Sequence, residues 1–82
     1  METGPWNECV PVRMADDAKI HMVSNTRQAA ELLANRWPIH RGRAYENAIG
    51  VCQTVLEGDC PSYVARAAFV AAAKEANLLV VH

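Results

Sequence analysis

The chain has 82 residues, 51% of them hydrophobic and 21% charged, with a formal net charge of −1, which is the make-up of one small domain spanning residues 1–82. The near-neutral balance excludes the basic excess of a general nucleic-acid binder, and the hydrophobic share excludes a disordered tail. A chain this short buries only about 60% of the surface it exposes when unfolded, so most of its large apolar side chains are needed inside.

Met1 to Trp6 show no basic segment followed by an apolar run, and no stretch approaches the ~20 apolar residues of a membrane span, so the expected location is the cytoplasm. Cys9, Cys52 and Cys60 form an odd set with no Cys-x-x-Cys pair and no common zinc spacing, which fits free thiols in a reducing compartment. Val10, Val12 and Met14 alternate with Pro11 and Arg13. After the turn-forming Ala15-Asp16-Asp17-Ala18, Ile20 and Met22 alternate with Lys19 and His21. This pattern predicts a β-hairpin with one apolar face made by the valines, Met14, Ile20 and Met22, and a polar outer face made by Arg13, Lys19 and His21.

Asn25 stands three residues ahead of Gln28, a spacing that predicts a helix start, and Ala29, Leu32, Leu33 and Trp37 share one side of that helix. Pro38 disfavours helical geometry at Trp37 and ends the element. After Gly42, the spacing of Tyr45, Ala48, Ile49, Cys52, Val55 and Leu56 predicts a second amphipathic helix, with Gly58 as its stop. Pro61 suits the first turn of a third helix, whose face of Ala65, Ala68, Phe69, Ala72 and Ala76 permits close backbone approach. Asn77 suits a left-handed cap, and Leu78 to Val81 read as a last strand.

The predicted order is β-β-α-α-α-β, an α+β fold with a small, mainly antiparallel three-stranded sheet and helices packed on one face. In that arrangement the last strand is apolar on both faces. Either the segment around Trp6 covers it, or Leu79 and Val81 mark a contact with another subunit.

Chemistry is concentrated in the junction Asn35 to Ala48. Gly42 and Arg43 open the second helix, where unpaired N–H groups and the helix dipole favour an anion, and Arg36, His40 and Arg41 are close in sequence. His40, Arg41, Gly42 and Arg43 are therefore a candidate site for a phosphate, a carboxylate or nucleic acid, against the plainer reading of a helix-helix elbow with exposed arginines paired to Glu31 or Glu46. A nucleic-acid reader is disfavoured, because the third helix offers chiefly Arg66 and Lys74 among its long polar side chains. Arg66 is expected to pair with Glu57 or Asp59. Cys60, just before the third helix, is the one thiol with a reactive reading, through the helix dipole, against that of a small turn residue. Asp16 and Asp17 read as turn residues and His82 as a free terminus. No nucleophile with a base, paired carboxylates or metal cluster emerges, so the chain is read as a non-enzyme without a cofactor.

Trp6, the Ala29 to Leu33 helix running into Trp37-Pro38, Arg41-Gly42, Tyr45, Ala48, Cys52, Leu56-Glu57-Gly58 and the run Ala65 to Ala76 resemble the domain of unknown function 982 family of rhizobia and related bacteria. The resemblance covers nearly the whole chain. It implies a small alphaproteobacterial protein and transfers no catalytic motif, and Cys60 stands where that family more often has a small polar residue. Together these features predict an interaction or accessory module that contacts a second copy of itself or another protein.

Overall fold

The computed structural model describes residues 6, 8–14, 19–37 and 42–80. It is an α+β fold: β1 (Val10–Arg13), β2 (Ile20–Val23), α1 (Thr26–Asn35), α2 (Arg43–Leu56) and α3 (Ser62–Glu75). The helices pack against one another, and β1 lies on α3. Between them sits one core, containing Val10, Val12, Met14, Val23, Leu33, Val55 and Phe69, each at most 1% exposed.

The helix boundaries obey the expected signals. The Asn25 side chain accepts from the Gln28 N–H at 2.7 Å, which caps one orphan donor of α1, and the Gln28 side chain reaches back past the cap to accept from the Ser24 N–H at 3.1 Å. Gly58 (φ 90°) and Asn77 (φ 59°) take the left-handed conformation after α2 and α3. Each closes a Schellman pair: Gly58 N–H to Val55 and Asp59 N–H to Thr54, then Asn77 N–H to Lys74 and Leu78 N–H to Ala73.

The sheet departs from expectation in two ways. β1 and β2 pair antiparallel with Val10 opposite Val23, Pro11 opposite Met22, Val12 opposite His21 and Arg13 opposite Ile20. Directly opposed residues share a face. The core face is therefore Val10, Val12, His21 and Val23, while Ile20 and Met22 point outward with Pro11 and Arg13. The phase predicted for β2 is inverted.

The second departure is the last strand. Among the described residues the sheet has two strands, and Leu79 meets Val12 only as an isolated antiparallel bridge. The Arg13 N–H donates to the Leu78 carbonyl at 2.8 Å and the Val80 N–H to the Pro11 carbonyl at 3.0 Å. The two return bonds of this ladder cannot form, because Pro11 has no N–H and the Leu78 N–H is already spent on the end of α3. Half of the ladder is missing for a covalent reason and a capping reason, so residues 78–80 dock on β1 without becoming a third strand.

Of the segment around Trp6 that was expected to cover the last strand, residues 1–5 and 7 lie outside the described residues, and Trp6 itself turns inward. Its ring lies in the core, 5.8 Å from that of Phe69, its Nε1–H donates to the Thr26 hydroxyl at 3.1 Å, and its backbone N–H donates to the Ser24 carbonyl at 2.7 Å. Thr26 is itself fully buried, and this bond satisfies it.

Candidate functional site

The outward face of the hairpin exposes two large apolar side chains. Ile20 and Met22 are 48% and 53% exposed, and of the large hydrophobic side chains described only Tyr63 on α3 joins them. They stand two residues apart on one strand face, beside the half-buried Pro11 and, through the bridge register, the half-buried Val80. Arg13 interrupts the patch, and with Asn77 to Val80 it lines a cleft of about 270 Å³.

Among the described residues the edge of the same strand is unpaired at Ile20 and Met22. Residues 11 and 13 turn their backbone groups toward residues 78–80, so the antiparallel alternation turns residues 10 and 12 toward β2 and makes His21 and Val23 their partners. The N–H and C=O groups of Ile20 and Met22 consequently point away from β1. No backbone group among the described residues meets them. The next outward residue, Ser24, is already engaged, by the Trp6 N–H at its carbonyl and by the Gln28 side chain at its N–H.

The Arg-rich elbow has a different character. Gly42 is the N-cap of α2 and offers no side-chain cap, but the Glu75 carboxylate arrives from the end of α3 to accept from the Ala44 and Tyr45 N–H groups, each at 3.2 Å. An internal anion thus occupies the place that was a candidate for an external one. A Cβ at position 42 would stand 2.5 Å from Glu75 Oε2, so the glycine leaves room for that carboxylate. Arg43 is exposed at this terminus, while His40 and Arg41 lie outside the described residues. Trp37 and Tyr45 anchor the elbow in the core, with ring centroids 6.3 Å apart, and the Tyr45 hydroxyl donates to the Leu33 carbonyl at 2.9 Å. No spacing rule links Glu75 to Gly42, which is why sequence reading missed it.

The remaining candidates are dispersed. Leu79 is half-buried against the core, which leaves Val80 to take the outward position, and Val81 lies outside the described residues, as do Asp16, Asp17 and His82. Cys60 is half-buried beside the core and lines a shallow groove of about 370 Å³ with Gly50, Val51, Thr54 and Val64. Arg66 does not pair with Glu57 or Asp59. It donates from Nε to the Glu8 carbonyl at 3.0 Å and faces the Glu8 carboxylate at 3.5 Å, tying the approach to β1 onto α3. Cys52 is buried in the core, and burial pushes its thiol up to about 11. Among the described residues no three His, Cys, Asp or Glu side chains gather as a metal site, and no helix is long and apolar enough to cross a membrane.

Comparison with known proteins agrees with the architecture. The NMR structure of Agrobacterium tumefaciens protein Atu1219 is similar over 99% of this chain and 80% of that one, at 30% identity and a TM-score of 0.77. No curated protein sequence matches. The model of a bacterial family matches residues 8–80, all five elements included, and the chain belongs to that family, Protein of unknown function (DUF982).

Proposed function

We propose that this protein is a cytoplasmic binding module that works without catalysis and associates with a second copy of itself through the outward face of its hairpin. The observation that carries the reading is the exposure of Ile20 and Met22 side by side on that face. A chain that must use its apolar residues sparingly leaves two large ones in water where a polar pair would serve the monomer equally well. A formal net charge of −1 opposes self-association only weakly. The three free thiols fit a reducing compartment.

A ligand at the elbow is the weaker reading, since an incoming phosphate or oligonucleotide would have to displace Glu75 from the N-terminus of α2.

The test is Met22→Lys. An exposed position should tolerate it within about 0.5 kcal/mol of folding stability, while a charge placed in the contact weakens dimerisation by tenfold or more. Size-exclusion chromatography coupled to light scattering reads the outcome. If the variant and the parent elute with the same mass at every concentration, this face is not the contact.

A further inference from the structure

The self-association proposed above has one geometry that the backbone of β2 favours, and the inference rests on that reading. We infer that two copies join edge to edge through β2, antiparallel, with the twofold axis passing between the two His21 backbones and a continuous sheet running β1-β2-β2-β1 through both.

The hydrogen-bonding groups still available point to this pairing. Ile20 and Met22 are the two residues of β2 whose N–H and C=O groups face away from β1 and meet no backbone partner among the described residues. A second strand that satisfies both must itself present two outward residues at the same spacing, which is what another copy of β2 does. Setting Ile20 opposite Met22 of the second copy makes two narrow pairs and four N–H···O bonds, related by the twofold axis. The registers on either side are poorer. Centring on Met22 would oppose Ile20 to Ser24, whose N–H and C=O are already bonded to Gln28 and Trp6. Centring on Ile20 would leave Met22 without its counterpart in β2. In the favoured register Lys19 lies across from Val23, so no two lysines oppose each other.

The side chains agree with the backbone. Ile20 and Met22 of one copy would adjoin Met22 and Ile20 of the other on the outer face, turning two exposed pairs into one cluster of four. This explains why the exposed apolar residues of the hairpin sit on β2 rather than on β1, whose outward positions are Pro11 and Arg13. An open edge carrying apolar side chains and no proline is the kind that natural sheets otherwise blunt.

Amide hydrogen exchange of the full chain, recorded beside sedimentation measurements from micromolar to millimolar concentration, tests the pairing. The expected result is association together with amides of Ile20 and Met22 that exchange at least about tenfold more slowly in the associated state. Met22→Pro removes an outward donor that β1 does not use and should abolish association, whereas Met22→Ala keeps the donor and should retain the Ile20 protection. The wild-type exchange decides the matter even if the proline variant does not fold. A monomer at every concentration overturns both this inference and the reading it rests on. Association with both amides unprotected overturns the edge pairing alone. Protection of both amides in a species that sediments as a monomer also overturns it, because the edge would then be covered within one chain.

Discussion

Two tryptophans illustrate how one side chain type can contribute differently. Trp6 donates its Nε1–H to the buried Thr26 hydroxyl, whereas the Trp37 Nε1–H is buried with no acceptor among the described residues. Replacing either by phenylalanine loses comparable ring volume. Trp6→Phe also strands the Thr26 hydroxyl, while Trp37→Phe removes a donor that has nothing to lose. Urea denaturation should find Trp6→Phe the more destabilising by about 1–3 kcal/mol, and equal costs would contradict this assignment of the two indoles. Cys52 gives a second expectation. Its thiol rises from 9.0 to about 11 on burial, so folded and unfolded chains carry the same proton below pH 9. Above that the unfolded chain releases its proton first, and the Cys52 contribution to stability is lost progressively as pH rises toward 11. Cys52→Ala should flatten that alkaline fall in a pH series of melting temperatures. Both tryptophans are recognisable in the sequence as apolar anchors, but the acceptor for the Trp6 N–H comes from a residue 20 positions away, which no spacing rule announces.

Secondary structure agreed with the sequence wherever the deciding signal was local. Asn25 with Gln28, Gly58 and Asn77 mark helix boundaries through bonds spanning a single turn, and the start of α1 and the ends of α2 and α3 fall at those marks. The hairpin shows where locality fails. Alternation reports the period of a strand but not its phase, and one residue more or less in the connection exchanges the two faces. Val12 faces the core, so the pairing at His21 carries His21 and Val23 inward and Ile20 and Met22 outward. The last segment fails as a strand for a different reason, since Leu78 serves two elements and its N–H was claimed by α3. The Gly42 and Glu75 contact is likewise an agreement between the start of one helix and the end of another. Glu75 sits unfavourably at the negative end of α3 and favourably at the positive end of α2, so its net contribution depends on reaching α2. Glu75→Gln and Gly42→Ala should each cost about 0.5–1 kcal/mol, and the double variant should cost clearly less than their sum, because both remove the same cap. Strict additivity in a denaturation cycle would show that the two residues act independently.

Among the described residues the molecule is a helical layer with a small sheet on it, whose inner face packs on the core and whose outer face exposes Ile20 and Met22. Its Cα radius of gyration of 11.6 Å is that of a compact chain of this length, so the exposed hairpin residues do not result from a loosely folded body. The sequence carried a hint of this openness in the apolar run Leu78 to Val81, but pointed to Leu79 and Val81 rather than to β2, since the inverted phase of the hairpin was not visible in it. Leu79 turned inward, and the open surface lies across Ile20 and Met22, with Pro11 and Val80 beside them. The proposed function therefore stands or falls with self-association through this surface. Sedimentation velocity of the intact chain from about 10 μM to 1 mM measures it most directly, across the Kd range of modest protein contacts. The expected boundary moves with concentration from the 9.0 kDa of one chain to twice that mass. A single 9.0 kDa species at the top of that range would show that the chain does not associate.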